Sequence, residues 1–157
     1  MNQVNEESFF ETQRFTNPLF WIILLGSGIF SLGIIYATGE LAYGALIVFT
    51  VFYGLVVGFI YVHKLTTCID KTGLSFRFFP YHWSARKYEF KNILSYEVII
   101  YKPLRDYGGW GIRFGKGERV YNVKGNKGIR IRFIDGKKIM LGTQKSDDFI
   151  RAMKFYE

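Results

Sequence analysis

Residues 18–36, PLFWIILLGSGIFSLGIIY, and residues 41–62, LAYGALIVFTVFYGLVVGFIYV, decide how this chain is read. The first holds 11 Leu, Ile or Phe residues and the second 13 Leu, Ile, Val or Phe residues; neither carries a formal charge. At about 1.5 Å per residue the shorter stretch reaches roughly 28 Å as a helix, close to the hydrocarbon thickness of a bilayer. Each such side chain near a helix centre favours insertion by about 0.3–0.6 kcal/mol, which outweighs the glycines and serines between them. Both stretches are apolar all round and lack the polar stripe that a surface helix of a soluble protein shows. A domain built from the rest of the chain is too small to cover them. A signal peptide fits no better, because residues 1–14, MNQVNEESFFETQR, are net acidic and a second apolar stretch follows the first at once. The sequence predicts a transmembrane helical hairpin over residues 18–63, preceded by a cytoplasmic tail, residues 1–17.

The ends of the hairpin carry their own signals. Asn17 and Pro18 suit the N-cap and first position of a helix. Ala37-Thr38-Gly39-Glu40 is long enough only for a tight turn, so the helices should be antiparallel and both termini should share a side. Arg14 precedes the first helix, Lys64 and Lys71 follow the second, and the turn holds no base, so the basic bias assigns both termini to the cytoplasm. Trp21, Tyr36, Tyr43 and Tyr61 fall toward the segment ends, as interfacial aromatics do. Gly54 and Gly58 form a GxxxG pair, and Ser27 and Ser31 repeat that spacing. These four are the candidate helix-packing residues, either within the hairpin or between two copies.

Charge is segregated. Between Arg14 and Lys64 the only charged side chain is Glu40, whereas residues 64–157 hold 20 Lys or Arg against 9 Asp or Glu, a local net charge of +11 in a chain of net +8. The single cysteine, Cys68, excludes an internal disulfide and any multi-cysteine zinc site.

That basic region reads as short strands. Thr66–Asp70 and Leu74–Phe79 flank a Lys71-Thr72-Gly73 turn, and Leu74, Phe76 and Phe78 alternate with Ser75 and Arg77. Arg86–Phe90 and Ile93–Tyr101 follow. Arg105-Asp-Tyr-Gly-Gly109 reads as a turn leading to Trp110, Ile112 and Phe114, and Gly115-Lys-Gly117 turns again before Val120–Val123. Ile129, Ile131 and Phe133 alternate with Arg130 and Arg132, and Asp135-Gly136 is a hairpin signal returning through Lys137–Leu141. From Ser146 the period becomes helical: Ser146 as cap, Asp147 and Asp148 in the first turn, and Phe149, Ile150 and Met153 on one face. The expected fold class is an α+β membrane protein: the hairpin, then over residues 64–157 a pleckstrin-homology-like (PH-like) antiparallel sheet or barrel of about seven strands closed by a C-terminal helix.

Asp106-Tyr-Gly-Gly-Trp-Gly-Ile-Arg113, Gly125-Asn-Lys-Gly-Ile129 and Asp135-Gly-Lys-Lys-Ile-Met-Leu-Gly-Thr-Gln144, with the hairpin before them, cover most of the chain. In these motifs it resembles the uncharacterised bacterial membrane proteins in which a two-helix hairpin precedes a bacterial PH-like domain. The resemblance implies that fold and a place in the bacterial cell (inner) membrane, as a multi-pass protein, and brings no reaction or ligand with it.

No catalytic motif is present, and no cofactor is expected. The glycines of 108–117 lack phosphate-loop spacing, and His63 and His82 are too dispersed for a metal site. Lys71, Arg77, Arg130, Arg132, Lys137 and Lys138 are the candidate contacts to an anionic surface. Pro80-Tyr81-His82-Trp83 reads either as a tip that touches membrane or partner or as a loop tucked over the core. A non-enzymatic binding or scaffold module is expected, taking a membrane-protein partner or a second copy. The alternatives are a sensor of anionic lipid headgroups and an accessory subunit of a membrane enzyme or transporter complex. Nucleic acid is not the expected partner, because a domain tied so closely to a bilayer meets headgroups first.

Overall fold

The computed structural model describes residues 8–37 and 43–157; most of the expected tight turn, from Thr38 to Glu40, lies outside the described residues. The chain divides into a helical unit, Phe15–Val62, and a second unit formed by the residues on either side of it in sequence.

The helical unit consists of α1 (Pro18–Ala37) and α2 (Tyr43–Val62), each long and apolar enough to cross a membrane. Asn17 caps α1 through its Oδ1, which accepts the Phe20 N–H at 3.3 Å, and Pro18 takes the first helical position, where no N–H is needed. The Trp21 indole donates to the Phe15 carbonyl at 2.8 Å and meets the Tyr61 ring edge-on at 6.2 Å. A residue early in α1 thus touches one late in α2, and the helices run antiparallel.

In the second unit a four-stranded antiparallel sheet runs β1 (Phe9–Arg14), β2 (Lys64–Asp70), β3 (Gly73–Phe79) and β4 (Arg86–Tyr88). β1 corrects the sequence reading, which left residues 1–17 as a tail. Phe9, Glu11 and Gln13 point inward and are buried, and two of these three are polar, so a search for alternating apolar residues passes over them. Partners from residues 142–144 offset most of the cost of burial, although Gln13 Oε1 finds none among the described residues. Glu11 accepts from the Thr143 hydroxyl at 2.6 Å and the Gln144 N–H at 2.9 Å, and Gln13 Nε2 donates to the Gly142 carbonyl at 2.7 Å.

The second sheet has the order β5 (Ile93–Ile100), β8 (Lys127–Phe133), β9 (Lys138–Gly142), β7 (Glu118–Asn122) and β6 (Gly111–Gly115). β7 and β9 pair in parallel, so among the described residues there are nine strands and not every pair is antiparallel, against the expected seven or so antiparallel strands. The stretch read as a turn at Arg105–Gly109 contains a one-turn helix, α3 (Pro103–Tyr107), stopped by Gly108 in the left-handed region at φ 71°. The terminal helix α4 (Ser146–Tyr156) forms as expected, but Lys145 holds the N-cap position and Ser146 lies inside the helix. Its inward face is Phe149, Ala152 and Met153, with Ile150 only half-buried.

The core fills the space between the two sheets. Leu65, Leu74, Phe76 and Phe78 of the first and Tyr121, Ile131 and Phe133 of the second are buried, with ring contacts between the sheets at Phe76–Tyr121 (4.7 Å) and Tyr88–Phe133 (4.6 Å). Phe149 of α4 closes one side, edge-on to Phe9 at 5.2 Å. A smaller cluster of Tyr101, Tyr107, Val120 and Met140 covers the opposite face of the second sheet.

Candidate functional site

The six cations proposed from sequence do not share a face. Lys71 sits in the β2–β3 turn just beyond Asp70, which is six residues along the strand from Lys64 and hence about 20 Å away at roughly 3.3 Å per residue. Lys137 is at that same end of the sheet: its Nζ donates to the Tyr88 hydroxyl at 2.9 Å, and Tyr88 pairs with Leu74 beside the turn. Lys138 follows it, exposed, on β9. Arg77 lies toward the opposite end of β3, and Arg130 and Arg132 are on the other sheet.

Arg130 is committed to carboxylates. Its Nε donates to Glu118 Oε2 at 2.7 Å, its Nη2 to Glu118 Oε1 at 3.0 Å and its Nη1 to Glu97 at 3.2 Å, while Arg132 reaches Glu97 at 3.4 Å. Glu118 is buried, 3% exposed, and also accepts the Tyr107 hydroxyl at 2.6 Å. Burial alone would raise the Glu118 pKa; the hydrogen bonds from Arg130 and Tyr107 outweigh it and hold the carboxyl below its ordinary value. Burial and the neighbouring carboxylate push Tyr107 up to about 12. This group pins α3 and the small cluster to the second sheet, a structural use for an arginine that sequence alternation marks only as outward-facing. Its partners lie 12 and 33 positions away in sequence, beyond any local pattern.

The other end of the first sheet gathers basic and aromatic chains that the sequence keeps apart. Arg14 pairs with Lys64 and Lys64 with Phe79, so these three form one row on the outward face, with Arg77 in the next row. The Arg77 guanidinium lies 5.3 Å and the Lys64 ammonium 5.8 Å from the Phe79 ring centre, both within cation–π range. Among the described residues no carboxylate lies in ion-pair range of Arg14, Lys64 or Arg77.

The turn after Phe79 splits the two readings of Pro80-Tyr81-His82-Trp83. His82 is tucked in: its Nδ1 accepts the Phe78 N–H at 3.3 Å, and its carbonyl accepts from Arg77 Nε at 3.1 Å. Burial first, then the charges of Arg86 and Arg119, lowers its pKa. Tyr81 is 55% and Trp83 85% exposed. The sequence points to this loop by composition. It does not point to Arg14 as its neighbour, because that depends on β1.

In the helical unit the close approach is made by Gly28, where an added Cβ would stand 2.6 Å from the Tyr53 ring. The Tyr53 hydroxyl bonds the Leu24 carbonyl, and Ser27 Oγ lies 3.1 Å from that hydroxyl. Ser27 therefore packs between the helices, whereas Ser31 Oγ donates to the Ser27 carbonyl within α1. A Cβ at Gly54 or Gly58 would meet no atom within 4 Å, so the GxxxG pair is not what brings α1 to α2.

Among the described residues no three His, Cys, Asp or Glu side chains converge as a metal site would need. Compared with known proteins, the chain matches no family model and no curated protein. Its architecture defines an α+β protein with two apolar helices long enough to span a bilayer, a two-sheet domain and a closing helix.

Proposed function

We propose that this chain is a membrane-anchored, non-enzymatic binding or scaffold module: α1 and α2 cross the inner membrane of a bacterial cell, both termini are cytoplasmic, and a PH-like domain binds a protein partner or a second copy. The observation that carries this reading is the pairing of Arg14 with Lys64. It makes the two apolar helices an insertion between adjacent strands, so the domain is tied to the spanning segments by two chains. Such a double tether limits rotation and favours a fixed presentation over a free sensor on a flexible stalk.

The surface best suited to a protein partner is the outer edge of β5. That strand ends the second sheet, leaving backbone donors and acceptors along one side, and it exposes Val98 and Ile100 with Leu94 at its bulge. Unpaired edges of this kind accept an added strand. The test is photocrosslinking of the full chain in cells from position 98, with position 71 as the comparison and products read by mass spectrometry. Crosslinks specific to position 98, to another copy or to one recurring membrane protein, are expected. Equal, scattered products from both positions would remove the assignment.

A further inference from the structure

We propose that the outward end of the first sheet, Arg14, Lys64, Arg77 and Phe79 with the adjoining Tyr81 and Trp83, docks on the headgroup layer of anionic phospholipid. The inference rests on the reading of α1 and α2 as membrane spans; of the six cations the sequence suggested it keeps only Arg77, and it adds Arg14 and Lys64.

Chain connectivity sets the distance, whatever angle the two units adopt. α1 begins four residues after Arg14 and α2 ends two residues before Lys64. At no more than about 3.6 Å per residue, these cations lie within about 14 Å and 7 Å of the helix ends. The headgroup zone occupies about 5–8 Å on each side of the hydrocarbon core, so covalent reach keeps Lys64 at or in that zone and strand pairing keeps Arg14 beside it.

The chemistry of the row fits what it would meet. Three cations without a described carboxylate in range offer phosphate partners that their own domain does not supply. Trp83 and Tyr81 have the apolar body and polar tip that settle at a membrane interface. An 85% exposed Trp at this position has no packing role in its own domain. Lys71, and Lys137 beside Tyr88, lie near the far end of the first sheet, so a domain docked by its near end, with the strands directed away from the bilayer, keeps them in water.

The experiment uses the full chain reconstituted in vesicles of zwitterionic lipid alone or mixed with phosphatidylglycerol, with a solvent-sensitive fluorophore at Trp83→Cys or Lys71→Cys in a Cys68→Ser background. Alkaline extraction is run first: a chain stripped from the vesicles overturns the spanning reading and this proposal with it. For a chain that stays, position 83 is expected to be blue-shifted and quenched by headgroup-labelled lipid, more so with phosphatidylglycerol, while position 71 remains water-exposed. Lys64→Gln or Arg77→Gln should each lower the docked-to-undocked ratio about fivefold, the factor that follows from the usual interaction of one base with an anionic surface. Equal water exposure at positions 83 and 71 in an inserted chain would overturn the docking alone. Shielding of position 83 that appears only at high protein-to-lipid ratio would identify a second copy as the occupant and equally overturn it.

Discussion

Arg14 and Lys64 face each other as the last register pair of β1 and β2, although the whole helical unit lies between them in sequence. The domain is therefore discontinuous. A fragment beginning at Lys64 lacks the edge strand that buries Phe9, Glu11 and Gln13. Replacing residues 15–62 with a short Asn-Gly turn should give a soluble domain that unfolds in one cooperative urea transition. The Lys64 fragment should be less stable by at least the roughly 3–5 kcal/mol of a lost buried Phe, and equal midpoints for the two would refute the role of β1.

In that closed-up domain, Phe133→Ala should cost about 3–5 kcal/mol, because the ring is 3% exposed and packs at a tilt against Tyr88. Arg130→Ala should cost roughly 3 kcal/mol by stranding the Glu118 carboxylate, whereas Arg132→Ala, on an exposed side chain, should cost under about 0.5 kcal/mol. Denaturant midpoints report all three. A harmless Arg130→Ala would mean that Glu118 finds water instead.

Acid sensitivity follows from His82. Its pKa is lowered in the fold, so the folded state favours the neutral ring that accepts the Phe78 N–H. Stability from this group is complete above the unfolded value of about 6.5 and declines as pH falls from there toward the folded value. Thermal midpoints between pH 7.5 and 5 should fall more steeply for the parent than for His82→Asn, whose side-chain oxygen can accept a bond without titrating. Parallel curves would assign the acid response elsewhere.

Within the helical unit, Gly28→Leu should disrupt α1–α2 packing, because even a Cβ there meets the Tyr53 ring. Gly54→Leu and Gly58→Leu should leave the pair intact, since a Cβ at either meets nothing within 4 Å. Disulfide trapping between cysteines placed at Trp21 and Tyr61 in detergent distinguishes them: trapping should fall for Gly28→Leu alone. A loss of higher oligomers in the Gly54 or Gly58 variants would show that those glycines face another copy.

Sidedness is open to the single thiol. In intact cells a membrane-impermeant maleimide should spare Cys68 and modify Glu40→Cys made with Cys68→Ser. Burial, then the Asp70 charge, raises the Cys68 pKa and slows it as a nucleophile, so labelling in permeabilised, denatured cells is the needed control. Rapid labelling of Cys68 from outside would reverse the orientation.

What was legible in the sequence had a local period. The apolar helices, the β2–β3 hairpin and α4 each repeat a pattern within a dozen or so residues, and Ile131 and Phe133 lie in the core as their alternation with Arg130 and Arg132 predicts. What was missed is non-local. β1 hides its pattern because Glu11 and Gln13 are inward polar groups whose bonds come from residues 142–144, with Gln13 Oε1 left without a partner among the described residues. The parallel β7–β9 pair has no hairpin to announce it, and the Glu118 partner of Arg130 is visible only once β7, β9 and β8 lie side by side.

The placement of the helices between β1 and β2 also orders the protein's synthesis. β1 leaves the ribosome first and must wait, unpaired, until both helices have been made and Lys64 onward has emerged. In a bilayer, if only one of the two helices crossed, β1 would be stranded across the membrane from every residue it pairs with. The sheet would then keep a bare β2 edge with Leu65 and Ile69 uncovered, a state open to proteolysis. For helices that span a bilayer, completion of the first sheet would thus proofread insertion: only a chain in which both helices cross, or neither does, can finish folding.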